Sequence, residues 1–193
     1  MGALALGVVQ EPIQGEILCG DAYGVHDLGG HVIVAVADGL GHGPEAHAVA
    51  ERAMAYVAAH ADHPVAQLLE GCHRDLRGSR GVVMAVARID RAAGKLDYGG
   101  IGNIEARILG AEKVLRPISM NGIVGHTAAK IRVETFPFLA GDLLLVHSDG
   151  ISDRFEISPA SRGRDPQVLA HELVFRHGRA TDDRLLLLVR EDA

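Results

Sequence analysis

The order of apolar segments predicts an α+β fold with two antiparallel sheets packed face to face and helices on the outside. Strand signals come first, two helical segments follow, a long block of strand signals comes next, and one helix and one strand close the chain. This order lacks the regular β–α–β alternation of a doubly wound parallel sheet. With 193 residues and an apolar fraction of 48%, the chain suits one domain, residues 1–193, with a core that can bury most of its unfolded surface. A single sheet with helices on one face is the rival arrangement.

Taken in order, residues 3–9 and 17–26 carry strand signals. The run "HVIVAVAD" (31–38) is continuously apolar up to a carboxylate, the pattern of a buried strand. Pro44 then stands at the first turn of a helix, where its missing N–H costs nothing. The alanine-rich "PEAHAVAERAMAYVAAH" (44–60) continues that helix, and its stripe reads as core packing. "PVAQLLEGCHRDL" (64–76) is a second helix. "GVVMAVARID" (81–90) and "KLDYGGIG" (95–102) flank "RAAG", a hairpin turn. "IEARILG" (104–110) and "KVLRP" (113–117) form the next pair. "AKIRVETFPF" (129–138) and "DLLLVHSDG" (142–150) are further strands, "DPQVLAHELVFRHG" (165–178) is a late helix, and "DDRLLLLVRED" (182–192) is the last strand.

Composition narrows the function classes. A formal charge of −6 argues against a nucleic-acid partner, which needs a basic face. Cys19 and Cys72 are the only cysteines, too few for a zinc ribbon, and read as reduced thiols of a cytoplasmic protein. The first residues lack a basic segment followed by a long apolar run, so no signal peptide is expected, and "LLLLV" is too short to span a bilayer.

Four acidic sites share one placement. Asp21 follows "EILCG", Asp38 follows "VIVAVA", Asp149 follows "LLLVHS", and Asp182 with Asp183 precedes "RLLLLV". Each adjoins an apolar strand that can hold a side chain steady. One Asp-Gly after a strand is ordinary turn chemistry, and Asp182-Asp183 alone could cap a strand. Four such sites together suggest convergence, provided the strands are sheet neighbours. Ionised carboxylates brought together repel, and a hard divalent cation such as Mg²⁺ or Mn²⁺ relieves the repulsion.

These segments resemble the metal-dependent, type 2C-like serine/threonine protein phosphatases. "GDAYGVHDLGGHVIVAVADGLGHG" is similar to the family's first metal motif, and its Gly-His-Gly to the bacterial SpoIIE/RsbU/RsbX branch. "GGIGNIEARIL" resembles the middle strand pair of this branch, "LAGDLLLVHSDGISDRF" the Gly-Asp…Ser/Thr-Asp-Gly motif, and "ATDDRLLLLV" the terminal Asp-Asp strand. The motifs stand in family order across residues 20–189. The resemblance implies a four-layer αββα sandwich of two antiparallel sheets with a site for two Mn²⁺ or Mg²⁺ ions, a third being possible. It implies that Asp38 bridges both ions, that the Gly39 carbonyl binds one of them, and that Asp149 and Asp182 complete the second. Asp21 matches a residue that holds metal-bound water, and Asp183 ranks below Asp182. Two such ions lower the pKa of a shared water, and the resulting hydroxide attacks phosphorus with no covalent intermediate. The cysteines are then not needed as nucleophiles.

Three positions depart from the eukaryotic members. Glu16 occupies the region of their phosphate-gripping arginine. Leu40 replaces the histidine after Asp-Gly, leaving His42 as the nearest. Leu185 stands where a threonine is usual. His42 is a candidate catalytic acid, because a free imidazole titrates near neutral pH; loop orientation or helix capping is the alternative. His31, His60 and His177 read as surface residues. Asn103 could contact substrate or serve a turn, and Asp153 could assist an extra metal or cap a helix. The polar stretch "RFEISPASRGRDP" (154–166) could face substrate. The length resembles the stand-alone, RsbX-like members. That likeness implies a monomeric cytoplasmic phosphatase, with no membrane partner, whose substrate is a phosphorylated anti-sigma-factor antagonist or stressosome scaffold protein. A docking pseudophosphatase and a small-molecule phosphoesterase are the alternatives.

Overall fold

The structure is a computed structural model that describes residues 3–127 and 130–192. The chain runs β1 (Leu4–Glu11), β2 (Asp21–Asp27), β3 (His31–Gly39), α1 (Gly43–Ala59), α2 (Val65–Asp75), β4 (Val82–Asp90), β5 (Lys95–Ile101), β6 (Glu105–Leu109), β7 (Val114–Leu115), β8 (Glu134–Pro137), β9 (Leu143–His147), α3 (Pro166–His177) and β10 (Arg184–Glu191). A short 3₁₀ turn, Pro159–Gly163, precedes α3.

The strands form two five-stranded sheets, ordered β1-β10-β9-β6-β7 and β2-β3-β4-β5-β8. Every strand pair in them is antiparallel. The apolar run of β3 follows from burial on both faces. Ile33, Ala35 and Ala37 pack with α1 and α2, among them Val57, Leu68 and Leu69. Val32, Val34 and Val36 face the other sheet, meeting residues such as Leu144, Val146, Leu185 and Leu187. The outer face of that other sheet buries Leu143, Leu145, Leu186 and Leu188 against Leu169, Leu173 and Val174 of α3. Helices therefore cover both outer faces, giving an αββα sandwich and removing the rival with helices on one side only. Truncating a mid-sandwich leucine such as Leu187 should cost about 2–5 kcal/mol by the usual scale for core cavities.

Two strand expectations change. The strand expected at 17–26 begins only at Asp21, because the chain leaves β1 at Pro12 and turns, with the Glu16 N–H bonded to the Ile13 carbonyl at 3.0 Å. Of the strand expected at 129–138, residue 129 lies outside the described residues, and only Glu134–Pro137 pairs, with Lys95–Tyr98 of β5. No described helix is long and apolar enough to cross a membrane.

Candidate active site

Strand register brings five carboxylates to one end of the sandwich. Asp21 opens β2 and lies directly opposite Asp38, the penultimate residue of β3. Asp38 continues the even-numbered side of β3, whose Val32, Val34 and Val36 face the other sheet. Asp149 follows β9, and Asp182 and Asp183 precede β10, the neighbour of β9. Two carboxylates thus come from one sheet and three from the other. Ser148 ties the halves together. Its Oγ donates to Asp21 Oδ2 at 2.7 Å and accepts from the Leu185 N–H at 3.1 Å. Asn103, in the crossover from β5 to β6, donates to Asp149 Oδ2 at 2.7 Å.

A cleft of about 330 Å³ opens at this end, lined among others by Asp38, Asp149, Asp182, Asn103, His42 and Ile13. A larger cavity of about 630 Å³ lies elsewhere, between α3 and the β1–β10 pair. Its carboxylates are already neutralised, Glu11 by Arg184 at 2.7 Å and Glu172 by Arg164 and Arg176. The smaller cleft is the better candidate because its charge is not. Among the described residues, none of the five clustered aspartates is in an ion pair.

The consequence is electrostatic strain. Burial, and then repulsion from Asp21, Asp149, Asp182 and Asp183, pushes the Asp38 carboxyl up to about 9. Burial raises Asp21 to about 7, with the Ser148 hydroxyl opposing the shift and Asp183 adding to it. Asp182 is also raised, chiefly by burial and then by Asp149. Asp183 is buried, accepts the Ile13 N–H on Oδ1 at 2.8 Å, and leaves Oδ2 without a partner. An all-oxygen, carboxylate-rich set with no internal counter-charge fits a hard divalent cation. Among the described residues, no three His, Cys, Asp or Glu side chains are already closed around one point. The fit therefore rests on donor chemistry and missing positive charge.

The remaining sequence candidates fall as follows. Asp182 lines the cleft, whereas Asp183 ties the β1–β2 loop to the site. Gly39 donates its N–H to the Gly20 carbonyl at 3.0 Å, and a Cβ on it would collide with the backbone of Ala46 in α1. Helix packing alone thus requires glycine there. His42 lines the cleft and its Nδ1 lies 2.8 Å from Glu16 Oε1. Asp153 is exposed and precedes irregular chain, so it caps no helix; its carbonyl accepts from Arg107. Of the stretch 154–166, the part around Arg162 and Arg164 is held away from the cleft. Arg162 pairs with Asp142, just before β9, and Arg190 near the end of β10 holds the Arg162 and Arg164 carbonyls. Both anchors lie at the end of the sheet remote from Asp149 and Asp182. Leu185 is core. His31, His60 and His177 are half-buried rather than surface residues, His60 stacking on Tyr56 and His177 on Phe155. Burial pushes the Cys19 thiol up to about 12, which removes it as a nucleophile near neutral pH.

Ser148 is the site residue that sequence reasoning underweighted, although it stands inside the Ser/Thr-Asp-Gly motif. Two stacked antiparallel sheets, flanked by helices and ending in an acidic cleft, are the arrangement that the likeness to type 2C phosphatase domains implies. Within that class the chain belongs to the SpoIIE family: the family model for stage II sporulation protein E matches residues 28–191. The phosphoserine phosphatase RsbX of Bacillus subtilis (strain 168) is 22% identical over 176 residues, covering 91% of this chain and 88% of that protein. A solved structure from work on the bacterial stressosome, described as a modular system adapted to control secondary-messenger signalling, superposes with a TM-score of 0.91 at 34% identity. It covers 97% of this chain and 100% of that one. A crystal structure of RsbX in complex with magnesium gives a TM-score of 0.86 at 21% identity, covering 98% of this chain and 96% of that one.

Proposed function

We propose that this chain is a Mn²⁺- or Mg²⁺-dependent protein phosphatase that hydrolyses phosphoserine or phosphothreonine on a partner of a bacterial stress-signalling cascade. The observation that carries the reading is the cleft-side cluster of Asp21, Asp38, Asp149 and Asp182, buried or half-buried and, among the described residues, without a cationic partner. Asp38, Asp149, Asp182 and the Gly39 carbonyl would hold the ions, with Asp38 shared between two, and Asp21 would hold a water beside them. When bound, divalent ions make water a stronger nucleophile near neutral pH and neutralise phosphoryl oxygens.

The chain's own residues do the orienting. Asn103 holds one Asp149 oxygen, so that carboxylate presents a defined face to the cleft. Ser148 does the same for Asp21 from the opposite sheet. Asp38 is fixed from behind by β3, paired on both sides by β2 and β4. Preorganised groups of this kind lose little freedom on binding substrate. The similarity to RsbX and to a stressosome structure supports a phosphorylated anti-sigma-factor antagonist or stressosome scaffold protein as the substrate, and a cytoplasmic site of action.

The test is Mn²⁺-dependent phosphate release from a panel of purified phosphoproteins, with Asp38→Ala and Asp149→Ala as controls. Release that both variants abolish is expected. Release that survives chelation would remove the metal from the mechanism. Binding to a phosphoprotein without release would make the domain a docking module, and release from small phosphoesters alone would make it a general phosphoesterase.

A further inference from the structure

His42 and Glu16 come from separate segments 26 residues apart, yet His42 Nδ1 and Glu16 Oε1 meet at 2.8 Å at the mouth of the cleft. Helix capping does not account for the histidine. His42 occupies the N-cap position of α1, but its side chain makes no capping hydrogen bond. Gly43 has φ +73°, and a Cβ there would lie 2.9 to 3.0 Å from the Glu16 carboxylate atoms. The positive φ is what calls for glycine here, and the Glu16 carboxylate lies directly beside that turn. The loop carrying Glu16 is pinned on either side, by the Ile13 N–H to Asp183 Oδ1 at 2.8 Å and by His47 Nδ1 at 2.9 Å from the Cys19 carbonyl.

We propose that Glu16 is a positioning residue for His42, and that His42 protonates the oxygen leaving phosphorus. The inference rests on the phosphatase function proposed above. Glu16 accepts the Nδ1–H of the imidazolium and so fixes the ring's orientation, which leaves the Nε2–H as the proton open to substrate and the Nδ1–H tautomer as the form left after donation. In the step, a water oxygen bonds to phosphorus and the phosphorus–serine oxygen bond breaks. The departing alkoxide takes the Nε2 proton. One water proton remains on the phosphate product, and the other returns through solvent to Nε2. The charged groups around the ring are Glu16, Asp38, Asp149 and Asp182, with the Arg80–Glu45 pair beyond the Leu40 carbonyl. Glu16 is thus more than a lost arginine; its carboxylate is committed to the histidine.

The experiment compares two substrates at saturating Mn²⁺: a phosphoserine peptide, whose alkoxide needs a proton, and p-nitrophenyl phosphate, whose phenolate leaves without one. Glu16→Gln, His42→Ala and the double variant are assayed with the wild type. On the peptide, Glu16→Gln should lower kcat by about 10-fold or more with KM within about twofold, and His42→Ala by about 10²-fold. On p-nitrophenyl phosphate each should lose less than about threefold. The double variant should match His42→Ala, because Glu16 acts only through the ring. Equal losses on both substrates with lowered Tm, additive losses in the double variant, or no loss in Glu16→Gln would each overturn the assignment. A wild type inactive on both substrates would instead overturn the phosphatase function itself.

Discussion

The β2–β3 hairpin carries carboxylates at both ends, and the two ends are treated in opposite ways. At the turn end, Asp27 is gripped by Arg91, whose Nη1 and Nη2 donate at 2.7 and 2.9 Å. The same guanidinium also holds Glu191 of the last strand, and the pairing lowers the Asp27 carboxyl to about 2. At the open end, Asp21 and Asp38 face each other with no arginine or lysine among the described residues paired to them, and burial followed by carboxylate repulsion raises Asp38 to about 9, as burial raises Asp21 to about 7. The chain supplies its own counter-ion where a carboxylate is structural. Where it supplies none, the repulsion is relieved by protons or, under the function proposed above, by a bound cation.

Removing the charge at the open end should have the largest effect. Asp38→Asn should reduce Mn²⁺-dependent phosphate release by more than about 10³-fold, as expected if Asp38 holds the ions that the proposed function requires. Phosphate release measured under single-turnover conditions checks this.

The second contrast is in pH. Asp38 binds its proton more tightly in the folded state than in the unfolded state. Stability of the metal-free protein should therefore fall as pH rises from about 7 to about 9, by about 1–3 kcal/mol. Asp27 has the opposite sign: its contribution is present above the ordinary carboxylate range and is lost only as pH falls toward about 2. Urea unfolding at pH 7 and pH 9, in chelator and in excess Mn²⁺, should show the slope in the first condition and its loss in the second.

At the turn end, Arg91→Met should cost about 2 kcal/mol, because its partners Asp27 and Glu191 would lose their counter-ion. Activity should stay within about twofold, as the guanidinium lies at the far end of β2 from Asp21. A large activity loss without destabilisation would break the division between the two ends. The smallest effect expected is from Asn103→Ala, which frees one Asp149 oxygen: about a 10-fold loss of activity with little change in Tm.

The parts of this contrast differ in how far they can be read from sequence. Asp38 and Asp149 were legible because each ends a run that is apolar on both faces, a local pattern that survives without the fold. Convergence itself depended on sheet order, and the residues that organise it were not legible. Ser148 reaches Asp21 across 127 positions, and Glu16 reaches His42 only through the loop between sheets. The stretch 154–166 looked like a substrate loop because it is polar. It leaves β9 at the Asp149 end but crosses to the other end, where Arg162 pairs with Asp142 and Arg190 of β10 holds the Arg162 and Arg164 carbonyls. Arg107 shows the same limit. It is a buried charge inside an apolar strand, stacked over Phe155 and donating to the Phe155 and Asp153 carbonyls, with no sequence pattern to announce it.

The most direct measurement is the thermal midpoint of the wild type and of Asp38→Asn at pH 8, each with chelator and with Mn²⁺. The unbalanced cluster implies that Mn²⁺ raises the wild-type midpoint and leaves the variant unmoved, and that the metal-free variant is the more stable of the two by about 1–3 kcal/mol. An equal Mn²⁺ shift in both proteins, or a metal-free variant less stable than the wild type, would contradict it.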